Sequence, residues 1–195
     1  MDDIFSVKNK IIVITGAGRG IGQFFANELA KRSAVVYAVD KTFSKKNEGN
    51  YYFQKKCDVT NKTQFQKICN NILKDNGKID VLINNAGITL PNNPAYAASK
   101  GGLRMLTKSL AKDFGKYGIR VNNLGPGYII TEMTKNSYQN KKSRMIRQKH
   151  TLLGRWGDVT DLIGPCIFLA SNASGYITGQ DIYVDGGWLA NGLSE

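Results

Sequence analysis

Tyr96 and Lys100 lie four residues apart in the run Tyr96-Ala97-Ala98-Ser99-Lys100. At that spacing two side chains on a helix share a face. A free tyrosine keeps its proton up to a pH of about 10, too high for efficient proton exchange near neutrality. A neighbouring ammonium stabilises the phenolate and lowers that value. The pair therefore suits proton exchange with a bound molecule near neutral pH. By itself the spacing is common by chance, and a tyrosine packed at a helix start would look the same.

A second group lies near the start of the chain. Thr15-Gly16-Ala17-Gly18-Arg19-Gly20-Ile21-Gly22 stands between the apolar, β-branched run Ile11–Ile14 and a helical stripe of Ile21, Phe24, Phe25 and Leu29. Glycines between a strand and a helix let backbone approach a pyrophosphate closely. The N-terminus of the helix then offers unpaired N–H groups and partial positive charge to the phosphates. Asp40 follows Gly22 by 18 residues, near the ~20 typical of the carboxylate that binds a ribose. The whole pattern reads as a dinucleotide site. The Asp40 charge would repel a 2′-phosphate, which favours NAD over NADP, while Arg19 and Lys41 pull the other way.

The elements that must position these groups alternate along the chain. Strands are expected at 11–14, 34–39, 51–57, 79–83, 119–122 and 180–185, the fifth broken by Gly125-Pro126-Gly127. A helix is expected to run from Ile21 to about Arg32. Another carries Phe65, Ile68, Cys69, Ile72 and Leu73 and closes at Asn76-Gly77. A long helix runs from about Ala95 to Tyr117 with Leu103, Leu106, Leu110 and Phe114 on one side, and Gly118 ends it. Residues 131–150 read as a polar, basic lid, and Asp158 as the N-cap of a helix reaching Ser171, with a bend at Pro165. Such alternation predicts an α/β protein of the Rossmann type, a doubly wound parallel sheet, folded as one domain over residues 1–195.

With these motifs in order, the chain resembles the short-chain dehydrogenase/reductase family. T-G-x-x-x-G-x-G at Thr15–Gly22, N-N-A-G at Asn84–Gly87, Y-x-x-x-K at Tyr96–Lys100, the Pro126-Gly127 loop and Asp185-Gly186-Gly187 match family signatures. The resemblance implies a cofactor site formed by Gly16, Gly18, Arg19, Gly20, Ile21, Gly22, Asp40, Asp58 and Val59. Asn84, Ala86 and Gly87 would line the adenosine ribose, and Pro126, Gly127 and Thr131 would hold the nicotinamide end. Tyr96 and Lys100 would be the catalytic pair, with Lys100 also binding the nicotinamide ribose. The implied activity is hydride transfer between NAD(H), or less favourably NADP(H), and a carbonyl or alcohol. Pro94–Thr134 and Gly154–Asp158 look most like the gluconate 5-dehydrogenase and 3-oxoacyl-carrier-protein reductase branch, implying a sugar, polyol or 3-oxoacyl substrate.

One family segment has no counterpart. Only eight residues, Ile88–Ala95, separate Gly87 from Tyr96, whereas a βαβ unit needs ~30 or more. The family's helix with its structural asparagine, and the strand with its catalytic serine, are therefore expected to be missing. The sheet would then be one strand and one helix short. Thr89 is the only hydroxyl in the interval, and Ser99 belongs to the helix. The shortened chain leaves a second reading, a cofactor-binding pseudoenzyme without efficient turnover. Homo-oligomers in the family form through the lost helix and the Tyr96 helix, so half of that surface would be absent.

Composition sets the remaining bounds. The chain has 195 residues, 42% hydrophobic and 22% charged, enough apolar material for a core without disulfide or structural metal. No apolar run approaches the ~20 residues of a membrane span. The start, Met1-Asp2-Asp3-Ile4-Phe5, lacks the pattern of a signal peptide. Cys57, Cys69 and Cys166 form no C-x-x-C pair and read as reduced, mostly buried thiols of a cytoplasmic protein. The net charge is +12, but the lysines are scattered and no aromatic residues interleave them, so no nucleic-acid partner is expected. The basic lid (Lys141, Lys142, Arg144, Arg147 and Lys149) could meet an anionic small molecule or simply be solvated. His150, the only histidine, has no partner pattern.

Overall fold

The computed structural model describes residues 3–44, 49–87 and 94–191, with the Tyr96 side chain outside that set. Contacts divide the chain into two compact units, Met1–Gly87 and Ile88–Glu195.

In the first unit, β1 (Ile11–Thr15), β2 (Val35–Asp40), β3 (Tyr52–Lys56) and β4 (Val81–Asn84) form a parallel sheet in the order β3-β2-β1-β4. The chain moves outward from β1 to β3 and then crosses to the far side of β1. Right-handed crossovers in opposite directions put their helices on opposite faces of a sheet. Thus α2 (Lys62–Asn76) covers the face carrying Ile11, Val13, Tyr37, Val39 and Cys57, with Ile72, Phe65 and Ile68 against it. By alternation, fully buried Ile12, Ile14, Val36 and Ala38 point the other way. There α1 (Gly20–Lys31) contacts the sheet, burying Gly22, Phe25, Ala26 and Leu29. Asn61 caps α2 by accepting from the Gln64 N–H at 3.0 Å, and Gly77, at φ +75°, closes it where expected. This is the doubly wound arrangement, and its switch point lies at the carboxyl ends of β1 and β4.

In the second unit, α3 (Pro94–Phe114) ends in one 3-10 turn, Gly115–Tyr117, and Gly118 at φ +73°. β5 (Asn123–Pro126) pairs in parallel with β6 (Asp181–Val184). Between them come α4 (Lys135–Gln139), α5 (Lys141–His150) and α6 (Thr160–Ala170).

Three expectations need correction here. Residues 119–122 are not the strand, which starts at Asn123 and includes the Gly125-Pro126 expected to break it. The preceding residues spend their bonds elsewhere. The Arg120 guanidinium donates to Ser174 Oγ at 2.8 Å and to the carbonyls of Leu169 and Ser171 at 3.0 and 3.2 Å. The Val121 N–H goes to Thr178 Oγ1. The apolar stripe of α3 is not its buried face either. Leu103, Leu106 and Phe114 are exposed, while Thr107 and Ala111 are buried, Thr107 donating to Asn123 Oδ1 at 2.8 Å. Lastly, Val159 rather than Asp158 is the N-cap of α6, and the Asp158 carboxylate, two residues before the helix, accepts from the N–H and hydroxyl of its first residue, Thr160.

The three cysteines are free, as expected, with Cys57 and Cys166 buried and Cys69 partly so. Burial pushes the Cys166 thiol up to about 12, so it stays protonated at neutral pH. No helix among the described residues is long and apolar enough to cross a membrane.

Candidate functional site

The switch point of the first unit gathers most of the expected cofactor residues. Gly16, at φ +66°, leaves β1 and starts the turn. Its carbonyl accepts from Asn85 Nδ2 at 3.0 Å. The Thr15 hydroxyl accepts from the N–H groups of Asn85 and Ala86 at 3.1 and 3.2 Å. The segment after β4 is thereby fastened to the turn after β1. A Cβ on Gly22 would run into the Gly16 carbonyl oxygen and Asn85 Nδ2, so this packing admits only glycine. A Cβ on Gly20 would meet nothing within 4 Å. Gly20 is the first residue of α1, so its Cβ position opens to free space at that helix N-terminus, where N–H groups and the helix dipole attract anions.

Asp40 closes the other side. Its Oδ2 accepts from the Gly18 N–H at 2.8 Å and its Oδ1 from the Thr42 N–H at 3.3 Å. The carboxylate from the end of β2 thus sits against the glycine turn. Asp58, beyond β3, pairs with Lys41 at 2.8 Å and accepts from the N–H and hydroxyl of Thr60. The Lys41 ammonium, with those Thr60 bonds, holds the Asp58 carboxyl down to about 2. Val59 packs against the α2-side core. Asn84 pairs with Thr15 in the sheet register, and Asn84, Ala86 and Gly87 are exposed.

Thr15 and Asn85 are the residues that sequence reasoning passed over. Both stood inside recognised motifs, and the available signal was a hydroxyl or amide next to a glycine turn whose carbonyl and neighbouring N–H groups need partners.

The second unit holds the other expected residues. Tyr96 and Lys100 both fall within α3, and Lys100 is exposed. The Tyr96 side chain, like Ile88–Leu90 with Thr89, lies outside the described residues. Pro126 ends β5 beside Val184, and the Gly127 N–H donates to the Val184 carbonyl at 3.1 Å. Gly127 lines a cavity of about 140 Å³ with Tyr128, Thr151, Arg155, Asp161 and Gly186. The Thr131 N–H donates to Thr134 Oγ1 at 2.9 Å, which in turn donates to the Ile129 carbonyl at 2.6 Å. The basic lid is not merely solvated. The Arg147 guanidinium lies 4.6 Å from the Tyr128 ring centroid, and Arg144 lies 5.4 Å from that of Tyr138. His150 packs 4.2 Å from the Trp188 ring, a partner that spacing did not reveal.

Comparison with known proteins decides what this scaffold is. Residues 10–94 match the family model described as short chain dehydrogenase, and residues 88–189 match the one described as Enoyl-(Acyl carrier protein) reductase. The chain belongs to the short-chain dehydrogenase/reductase family. It is similar to 5-keto-D-gluconate 5-reductase of Escherichia coli K12, 31% identical over 251 aligned positions that cover 97% of this chain and 99% of the relative. It is likewise 31% identical to 2-dehydro-3-deoxy-D-gluconate 5-dehydrogenase of Bacillus subtilis 168, covering 97% and 98%. A gluconate 5-dehydrogenase from Burkholderia cenocepacia J2315, solved with NADP and tartrate, superposes with a TM-score of 0.86 at 28% identity, covering 96% and 98%. A short-chain dehydrogenase from Leptospira borgpetersenii, solved with NAD+, shares the fold with a TM-score of 0.83 at 24% identity, covering 96% of each chain.

The chain is therefore an oxidoreductase on a Rossmann-like parallel sheet. The pseudoenzyme alternative draws no support from relatives named as dehydrogenases and reductases. Nor do the solved relatives favour NAD, since the gluconate 5-dehydrogenase from Burkholderia cenocepacia was solved with NADP.

Proposed function

We propose that this chain moves hydride between a nicotinamide dinucleotide and the keto or hydroxyl carbon of a sugar acid. The observation that carries the cofactor half is the free space at Gly20, where α1 starts, with the Asp40 carboxylate bound to Gly18 at its side. The backbone there is close enough for a pyrophosphate to meet N–H groups rather than side chains. In this reading Gly16, Gly18, Arg19, Gly20, Ile21 and Gly22 cradle the pyrophosphate and Asp40 takes the ribose hydroxyls. Asp58 and Val59 meet the adenine, and Asn84, Ala86 and Gly87 line the adenosine side. Pro126, Gly127 and Thr131 hold the nicotinamide end.

A bound nicotinamide would supply or accept the hydride. Tyr96 would give its phenolic proton to the substrate oxygen, or take one from the alcohol in reverse. Lys100, one helical turn away, would lower the phenol pKa and hold the ribose. The substrate class rests on the relatives, whose names put the reaction at carbon 5 of gluconate-type acids. A carboxylate on the substrate also suits the positive charge of α5. NAD is the preferred form because both Asp40 oxygens occupy the rim where a 2′-phosphate would arrive. The free cysteines fit a cytoplasmic setting, and homo-oligomers fit the family.

We also propose that a helix and a strand are missing between Gly87 and Tyr96. Alignments of 251 positions exceed what 195 residues can fill, and the two family matches meet at 88–94. Both observations support that internal gap.

Fluorescence titration with NADH and with NADPH, followed by turnover of 5-ketogluconate, tests the proposal. Saturation below about 1 mM is expected. Asp40→Ala should weaken NADH at least several-fold, and Tyr96→Phe should abolish turnover while leaving NADH affinity intact. Failure of both nucleotides to saturate would refute the cofactor assignment. Turnover of simple ketones in preference to the sugar acid would refute the substrate class.

A further inference from the structure

The β2–β3 register sets Asp40 beside Lys56, and the Cys57 N–H donates to the Asp40 carbonyl, so Lys41, one residue past β2, and Asp58, two past β3, emerge next to each other. Lys41 adjoins the residue whose carboxylate guards the glycine turn, which makes it a natural cation for a phosphate on the adenosine ribose. Its ammonium is instead held 2.8 Å from Asp58 Oδ2. Asp58 is fixed for this task. Its Oδ1 accepts from the Thr60 N–H and hydroxyl at 3.0 and 2.8 Å, and its own N–H donates to Gln64 Oε1 at 3.3 Å. The pair lines an open hollow with Lys56, Cys57 and Gln64, so a ligand can reach it.

We propose that Asp58 determines cofactor selectivity by occupying Lys41, withholding from NADP the cation that would bind its 2′-phosphate. This rests on the dinucleotide reading of the glycine turn and adds to it what sets the choice between the two nucleotides. Asp40 opposes the phosphate by its charge, while Asp58 removes the group that would offset that charge. Exposed ion pairs are weak, so a phosphate competes for Lys41 at a several-fold disadvantage rather than being excluded.

Dissociation constants for NADH and NADPH, measured by calorimetry on the full chain and three variants, test this. Asp58→Asn is expected to shift the NADPH/NADH affinity ratio toward NADPH by about two- to fivefold, the upper range of a weak exposed ion pair. Lys41→Met alone should leave the ratio within about twofold, because its charge is already taken. The double variant Lys41→Met/Asp58→Asn should lose the gain. A gain that persists in the double variant would mean Asp58 acts only by repelling phosphate, and overturns the proposal. So would a selective loss of NADPH in Lys41→Met, which would show that Lys41 already serves the phosphate. If wild type binds NADH but Asp58→Asn leaves the ratio unchanged, this inference alone fails. If wild type binds neither nucleotide, the dinucleotide reading fails with it.

Discussion

Replacing Thr15 by valine changes little in shape and removes one oxygen. That oxygen, on a residue only 4% exposed, accepts from the N–H groups of Asn85 and Ala86 and fastens the end of β4 to the glycine turn. A neutral hydrogen bond contributes about 1 kcal/mol net, and a buried donor left unpaired costs about 1–3 kcal/mol. The two donors do not suffer equally. Ala86 is exposed and can turn to water, and the Asn85 N–H also reaches the Ile83 carbonyl at 3.1 Å. The loss is therefore expected near 2 kcal/mol rather than the sum of two full penalties. For a chain of this size each kcal/mol shifts Tm by about 2–4 °C, so Thr15→Val should melt about 4–8 °C lower. Thr15→Ser keeps the oxygen and should recover most of the difference. Thermal melts by circular dichroism, with and without NADH, are the assay. A Thr15→Val protein as stable as wild type, or a Thr15→Ser protein no better than Thr15→Val, would refute the reasoning that this hydroxyl joins the two loops.

Two further outcomes are expected. Arg155 and the Asp158 N–H hold the Asp161 carboxyl down to about 2, below its ordinary 3.8. Its contribution to stability is thus complete above about pH 4 and fades as pH falls toward 2, so Asp161→Asn should lower the neutral limb of a Tm-against-pH curve, leave the value near pH 2 least changed, and thereby flatten the acid limb. Arg147 stacks on Tyr128, and its buried Nε has no hydrogen-bond partner among the described residues. Cation–aromatic contacts of this kind contribute about 0.5–2 kcal/mol, so Arg147→Ala should lower Tm by a few degrees and raise tryptophan exposure to acrylamide, whereas a purely solvated lid arginine would move neither.

What could be read directly from the sequence was local. Gly16–Gly22, the Asn76-Gly77 stop, Gly118 and the alternation of β-branched runs with helical stripes each depend on a few neighbouring residues, and each stands where expected. The failures share a cause. Ile119-Arg120-Val121-Asn122 has the composition of a strand, but the Arg120 guanidinium bonds carbonyls about fifty residues away and the segment follows it. The leucines of α3 fall at helical spacing, which marks a face without saying that anything covers it. Lys41 and Asp58 stand 17 positions apart, and only the β2–β3 register makes them partners. Thr15 and Asn85 lay in plain sight, but their bonds join loops 70 residues apart and could not be assigned before the sheet order was known.

On the reading proposed above, the turn between β1 and α1 holds a pyrophosphate. The most direct measurement is a crystal structure of the chain with NADH. Density for the pyrophosphate within hydrogen-bond distance of the N–H groups at Gly20 and Ile21, with a ribose hydroxyl on Asp40, is the expected result. A nucleotide bound elsewhere while that turn stays empty would contradict it.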